Sequence, residues 1–156
     1  MNYAQYYDVD VVNGEGTRCT LFVSGCEFAC KSCYNAKAQN FNHGALFTQE
    51  MEDRILSDLL DTRIKRRGLS ILGGEPLHPR NLSAIKKLVD RVKAESPNSS
   101  IWVWTGFEYK NLSQEQLEVV SKVDVLIDGL FVDQLKDPAL LWRGSSNQII
   151  HRFDLN

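Results

Sequence analysis

The sequence predicts an α/β fold in which four to five mainly parallel strands form a partial (βα) barrel. Apolar runs of strand length alternate with segments of helical periodicity, which is typical of right-handed βαβ units. The predicted strands are continuously apolar, as expected where both faces of a parallel sheet are covered. A full eight-stranded barrel takes about 250 residues. This chain has 156 residues, so any barrel that it forms is open along one side.

The first strand and the first helix are predicted from their ends as well as their interiors. The strand is the apolar run Cys19 to Val23. The helix runs from Thr48 to about Arg67, because Thr48 can cap its first turn and Gly68 is a natural stop. Charged residues at its two ends suit the helix dipole. They are Glu50 and Glu52 at the start and the basic run Arg63 to Arg67 at the end, and the apolar face consists of Ile55, Leu59 and Leu60.

Further strands and helices alternate along the rest of the chain. One helix starts near Asn81 and stops before Pro97, since the residue that precedes a proline disfavours helical geometry. Another is opened by a capping box made of Ser113 and Gln116. Trp102 and Trp104 are predicted core aromatics. The strands are Leu69 to Leu72, Ile101 to Trp104 and Val123 to Ile127, with a last short strand at Gln148 to Phe153.

Turn residues directly follow each of the first four predicted strands. The carboxyl ends of parallel strands meet at one edge of a sheet, and ligands bind at that edge. We therefore expect these turns to converge on one site. They are Gly25-Cys26, Gly73-Gly74, Thr105-Gly106 and Asp128-Gly129.

The composition is that of a soluble protein with one domain, residues 1–156. The chain is 43% hydrophobic and 24% charged, and its net charge of −2 gives no overall basic field that favours nucleic acid. Its N-terminus lacks the features of a signal peptide, and no apolar run reaches membrane-spanning length. We therefore expect a cytoplasmic protein, in which clustered cysteines indicate metal or redox chemistry rather than disulfides.

Three cysteines in the stretch SGCEFACKSC are the strongest functional signal in the chain. Cys26, Cys30 and Cys33 have the spacing C-x3-C-x2-C. A cubane iron–sulfur cluster normally takes four thiolates, so three leave one iron without a protein ligand. An open coordination position is characteristic of a catalytic metal. The fourth ligand is then expected to be a substrate or cosubstrate.

Other readings of these cysteines remain open at this point. Cys19 lies inside a predicted strand, where a cysteine is usually a small buried hydrophobe rather than a fourth ligand. A structural zinc site would need a histidine, from among His43, His78 and His151, and none has the short spacing of zinc modules. A small iron–sulfur electron carrier is a further alternative. Asp128 and Arg143 fit either a turn or a site.

The cysteine motif after the first strand resembles the signature of the radical S-adenosylmethionine (SAM) superfamily. Gly73-Gly74-Glu75-Pro76 resembles the superfamily's GGE motif. The resemblance implies one [4Fe–4S] cluster on Cys26, Cys30 and Cys33, with the amino and carboxylate groups of SAM on the open iron. The SAM-binding residues that it implies are Ser32, Cys33, Tyr34, Gly73 and Gly74.

Other segments narrow the resemblance to the activases of glycyl-radical enzymes. Asn13 to Arg18 is similar to their G-P-G-x-R segment, and further matches are the segments CYN, WVWTGF, IDG and WRGSSNQ. The resemblance implies an oxidoreductase in which the reduced cluster passes one electron to SAM. Methionine and a 5′-deoxyadenosyl radical form, and the radical takes a hydrogen from a glycine of the partner protein.

The resemblance also implies the partners. They are the large subunit of an anaerobic ribonucleoside-triphosphate reductase, which carries the glycine, and an electron donor such as reduced flavodoxin. Activation of another glycyl-radical enzyme is the alternative within the same family.

Overall fold

The structure is a computed structural model that describes residues 1–28 and 39–153. Within these ranges the chain forms one seven-stranded sheet and three α-helices. No helix in the same ranges is long and apolar enough to cross a membrane. In chain order the elements are β1 (Asn2–Asp10), β2 (Arg18–Val23), β3 (Ala45–Leu46), α1 (Gln49–Leu60), β4 (Gly68–Gly73), α2 (Pro79–Glu95), β5 (Ser100–Trp104), α3 (Gln114–Val120), β6 (Val125–Asp128) and β7 (Ile149–Arg152).

The strand order across the sheet is β3-β1-β2-β4-β5-β6-β7. The four central strands β2, β4, β5 and β6 are parallel, while β1, β3 and β7 pair antiparallel at the two sides. The prediction of an α/β fold with parallel central strands is therefore confirmed. The described sheet is mixed and does not close on itself, so its description as a partial barrel stays a prediction.

The strand count of four to five was too low, because β1 and β3 gave no apolar run to detect. The sequence of β1 is NYAQYYDVD, and most of its residues are exposed or half-buried. It pairs with β2 on one side and only briefly, through Asn2 and Tyr3, with β3 on the other. A strand near the edge of a sheet needs one covered face only, so polar residues are tolerated along it.

The first helix is shorter than predicted, since α1 ends at Leu60 instead of Arg67. No basic residue lies in its last turn, so the predicted role of the run Arg63 to Arg67 is wrong. Arg66 folds back instead and is buried. Its guanidinium donates to the carbonyl oxygens of Asp8 and Asp58. The chain therefore turns after α1 to satisfy backbone groups of β1 and of the helix itself.

The main core lies between the sheet and the three helices. Side chains from every central strand point into it, including Leu21, Ile71, Val103 and Leu126. The capping box predicted at Ser113 and Gln116 is present at the start of α3. The second helix starts at Pro79, two residues before its predicted start, because His78 serves as its N-cap.

Aromatic and basic side chains cover part of the opposite face of the sheet. Trp102 is buried there, as predicted, whereas Trp104 is only half-buried. Trp142 packs edge-on against Trp102 with ring centroids 5.0 Å apart. The guanidinium groups of Arg18 and Arg152 lie over the Trp102 ring at 5.4 and 5.5 Å. This second covered face explains why apolar residues occur on both faces of the central strands.

Arg18 joins the amino ends of the parallel strands. The side chain is buried and donates five hydrogen bonds, to acceptors on Glu15, Leu69, Ser70 and Ser100. Burial lowers the pKa of its guanidinium to about 10, which still leaves it charged at neutral pH. Because all five N–H donors of a guanidinium are used, none remains for a ligand.

We predict that Arg18→Gln lowers the free energy of unfolding by about 3 to 5 kcal/mol, since buried carbonyls lose charged donors. Urea denaturation of the full chain measures the change. Arg63 is the matched control, because its side chain is 87% exposed and, among the described residues, pairs only with Asp61. The Arg63→Gln variant is expected to keep the denaturation midpoint. Equal midpoints for the two variants would contradict the structural role of Arg18.

Candidate functional site

The loops that follow β2, β4, β5 and β6 surround one cleft at the carboxyl edge of the parallel strands. The predicted convergence of these turns is confirmed, since Cys26, Gly73-Gly74, Thr105-Gly106 and Gly129 all line the cleft. The cleft contains about 680 Å³ of empty space, part of it open to solvent.

The residues predicted to bind the cluster and SAM divide into two sets. Cys26, Gly73 and Gly74 line the cleft. The remaining predicted ligands lie in the stretch 29–38, outside the described residues, so the complete ligand set stays a prediction. They are Cys30, Ser32, Cys33 and Tyr34.

Backbone hydrogen bonds hold Cys26 beside the cleft. Its amide nitrogen donates to the carbonyl oxygen of Gln39 at 3.0 Å. The preceding residue, Gly25, has a φ of +102°, and a Cβ there would lie 2.0 Å from the Phe41 ring. A glycine is therefore required directly before the first cysteine of the motif.

Cys19 lies in a different environment from Cys26. It is fully buried in the core between the sheet and the helices, which confirms its prediction as a core thiol. Its Sγ atom donates to the carbonyl oxygen of Asp8 at 3.6 Å, and burial raises the pKa of the thiol. A thiol in this position does not line the cleft and favours the protonated form.

The glycine turn after β4 packs directly against β2. Gly73 has a φ of +113°, and a Cβ there would lie 2.6 Å from the backbone nitrogen and oxygen of Val23. The amide of Gly74 donates to the same Val23 oxygen at 2.8 Å. Close packing against β2 therefore requires a glycine at position 73, whether or not a ligand binds there. At Gly74 it is the backbone that forms the wall of the cleft.

Glu75 is a buried carboxyl group in the lining of the cleft, to which the sequence analysis gave no role beyond its place in the GGE motif. Its oxygens accept hydrogen bonds from the Leu77 amide, the Thr105 hydroxyl and the Gly106 amide at 2.7 to 2.8 Å. Burial raises the pKa of this carboxyl to about 7, although the three donors act in the opposite direction. The sequence signal that could have identified Glu75 as a site residue is its position directly after two glycines at the end of a strand.

Phe28 packs the cysteine loop against the loop after β5. Its ring lies edge-on to Phe107 with centroids 4.9 Å apart. A Cβ at Gly106 would lie 2.7 Å from the same ring. The loop that carries Cys26 therefore depends on the missing side chain of Gly106 for its position.

His78 is one of the three histidines that could complete a structural zinc site, and both of its ring nitrogens have other partners. The Nδ1 atom of His78 accepts from the Arg80 amide at 3.0 Å, so its proton is on Nε2, which lies 3.1 Å from the Glu27 carboxylate. Both nitrogens are used within the described fold. The zinc reading therefore loses support at His78.

Asp128 and Arg143 have structural partners within the described residues. Asp128 accepts a hydrogen bond from the Tyr109 amide at 2.7 Å and lies 3.1 Å from the Nε2 atom of His151, in a geometry that makes no hydrogen bond. Arg143 donates to the carbonyl oxygens of Ser146 and Gln148. Both contacts favour the interpretation of these residues as parts of turns.

Comparisons with known proteins agree with the cysteine motif. Residues 12–151 match the protein family described as 4Fe-4S single cluster domain. The chain is 58% identical to a Vibrio cholerae protein over 99% of this chain and 100% of that protein. It is 58% identical to a protein of Escherichia coli K12 over 97% of this chain and 98% of that one. A phage T4 protein is 43% identical over 95% of this chain and 92% of its own length. All three are named anaerobic ribonucleoside-triphosphate reductase-activating protein.

We predict that Glu75 makes stability fall as the pH rises. The folded state binds its proton more tightly than the unfolded chain does, since the carboxyl pKa rises from 4.5 to about 7 on folding. The stabilisation is therefore complete below pH 4.5, and about 3 kcal/mol of it is lost by pH 7. Urea denaturation at a series of pH values, for the wild type and for Glu75→Gln, isolates this contribution. Parallel pH curves for the two proteins would show that Glu75 does not titrate in this range.

Proposed function

This chain belongs to the family of anaerobic ribonucleoside-triphosphate reductase-activating proteins, and we propose that it works as a radical SAM activase. In this proposal the chain generates a glycyl radical on the large subunit of that reductase. The observation that supports it is that the first cysteine of the motif and the Gly73-Gly74 turn line the same cleft. In this proposal the cluster and the cosubstrate meet in that cleft.

The donor set of the cysteine motif fits an iron–sulfur cluster with one open iron. Cys26 lies on the cleft wall, and in this proposal Cys30 and Cys33 supply the other two thiolates. Cys19 is buried in the core and does not line the cleft, which leaves the motif with three thiolates. Three thiolates are the donor set that leaves a coordination position for a cosubstrate.

The cluster, when bound, supplies one electron that cleaves SAM to methionine and a radical able to take a hydrogen atom from glycine. The chain binds and orients the reactants. We assign contacts with SAM to Ser32, Cys33, Tyr34, Gly73 and Gly74, because the two glycines bring backbone to the wall of the cleft. Apolar side chains line much of that wall and exclude water from the reacting groups. They are Phe28, Leu72, Leu130 and Phe131.

The opening of the cleft supports a protein substrate. A site that generates a carbon radical has to exclude water and small reductants during the reaction. The described cleft is partly open to solvent, and Leu130 on its wall is 39% exposed. In this proposal a glycine-bearing loop of the reductase subunit closes the opening and presents the target hydrogen. Reduced flavodoxin is the proposed electron donor, and the cytoplasm is the proposed compartment.

We predict that Cys26, Cys30 and Cys33 are each required for the cluster and that Cys19 is not. Replacement of any of the three by alanine is expected to abolish the iron and sulfide content and the visible absorption after anaerobic reconstitution. Cys19→Ser is the matched control and keeps the cluster at a modest cost in stability, because a serine hydroxyl can still donate to the Asp8 carbonyl. Loss of the cluster in Cys19→Ser, with one of the other three dispensable, would refute the assignment.

We predict that reductive cleavage of SAM by this protein is coupled to radical formation on its partner. Reconstituted protein, dithionite and SAM are mixed with the large reductase subunit, and electron paramagnetic resonance is expected to show a stable radical on that subunit. The Cys26→Ala variant is the control and should give neither SAM cleavage nor the radical. Full catalytic turnover of SAM with a small-molecule substrate and no partner would contradict the proposal. A cluster that never cleaves SAM would favour the electron carrier.

A further inference from the structure

We infer that Asn81 is a positioning residue that holds the cysteine loop and the glycine turn together against the first turn of α2. Asn81 is the third residue of α2, and it is 1% exposed. Its Nδ2 atom donates to the carbonyl oxygens of Ser24 and Glu75, both at 3.0 Å. Ser24 lies two residues before Cys26, and Glu75 directly follows Gly73-Gly74. One amide group therefore holds the two loops that carry the first cysteine and the glycines.

The chemistry of these contacts requires an amide. Both partners of Asn81 are carbonyl oxygens, which accept hydrogen bonds and cannot donate them. The NH2 group must therefore face them, and its two hydrogens match the two acceptors. An aspartate has the same shape but no donor, so its oxygens would repel both carbonyls. A serine has one donor only.

Backbone contacts also join the two loops directly. The amides of Gly74 and Glu75 donate to the carbonyl oxygens of Val23 and Gly25 at 2.8 and 2.7 Å. These bonds continue the pairing of β2 with β4 beyond the ends of the strands. Asn81 adds the contact that ties this pair of loops to the first turn of a helix. Helices hold site residues more precisely than loops do.

The role of Asn81 toward the cofactors rests on the proposed function. If the cluster is bound at Cys26 and SAM lies against Gly74, Asn81 fixes how the two sites face each other. Loss of its bonds leaves the thiolates in the chain, so the cluster still assembles. A ligand that has to contact both sites at once binds less tightly when the two sites are displaced from each other. SAM binding is therefore expected to weaken while the iron content stays unchanged.

The matched control for Asn81→Asp is Gln116→Glu. Gln116 occupies the same position in α3 that Asn81 occupies in α2, and it is also buried. Its Nε2 atom donates to the carbonyl oxygen of Leu77 at 2.8 Å. The change from amide to carboxylate removes that donor and keeps the oxygen that accepts from the Ser113 amide in the capping box. Asn81→Asp therefore loses a bond to the cysteine loop, whereas Gln116→Glu loses a bond elsewhere.

Two readouts test the role of Asn81. In the full chain without cluster, hydrogen–deuterium exchange of a peptide that spans residues 22–28 is expected to be faster in Asn81→Asp and unchanged in Gln116→Glu. In reconstituted protein, SAM is titrated against the electron paramagnetic resonance signal of the reduced cluster. Asn81→Asp is expected to need at least tenfold more SAM than the wild type, with equal iron content, whereas Gln116→Glu behaves as the wild type. Asn81→Ala removes both bonds without adding charge and replaces Asn81→Asp if that variant does not fold.

The outcomes separate this inference from the proposed function. Equal SAM requirements for both Asn81 variants, Gln116→Glu and the wild type would overturn the positioning role while the activase function stands. A wild-type cluster whose signal does not respond to SAM would overturn the proposed function and, with it, the role of Asn81 toward SAM.

Discussion

The buried carboxyl group of Glu75 is the contact on which the arrangement of the cleft depends. Its oxygens accept from Leu77, Thr105 and Gly106, which joins the turn after β4 to the loop after β5. Its amide donates to Gly25, which joins the same turn to the cysteine loop. A buried polar group without partners is costly, and a fully bonded one specifies a single arrangement. Three loops from distant parts of the chain are therefore held in one geometry.

The interactions that hold the sheet together and those that shape the cleft lie at opposite ends of the parallel strands. Arg18 bonds to backbone and hydroxyl oxygens at the amino ends of the strands, and Cys26 and Glu75 lie at their carboxyl ends. The core between the sheet and the helices connects the two ends with fully buried side chains such as Leu21 and Ile71. A rigid support of this kind keeps the groups of a site in place.

The segment between β6 and β7 covers the face of the sheet opposite the three described helices. Trp142 packs on Trp102, and its carbonyl oxygen accepts from the indole N–H of Trp104 at 2.6 Å. Trp142 has a φ of 65°, an uncommon conformation for a residue with a side chain, which these contacts over-determine. Leu130 and Phe131 of the same segment form part of the cleft wall. One segment thus covers the second face of the sheet and provides apolar surface at the wall of the cleft.

Local pattern in the sequence determined the central strands, the turns at their carboxyl ends and the contrast between Cys19 in a strand and Cys26 in a loop. Those features follow from periodicity and from the connectivity of parallel strands, which short stretches of sequence express. Tertiary structure alone decided the course of β1, the early end of α1 and the roles of Glu75 and Asn81. Asn81 continues the apolar stripe of α2, yet its amide bonds to a carbonyl 57 residues earlier in the chain. A hydrogen bond between residues so far apart does not affect the local periodicity of the sequence, because the contact exists only once the sheet has assembled.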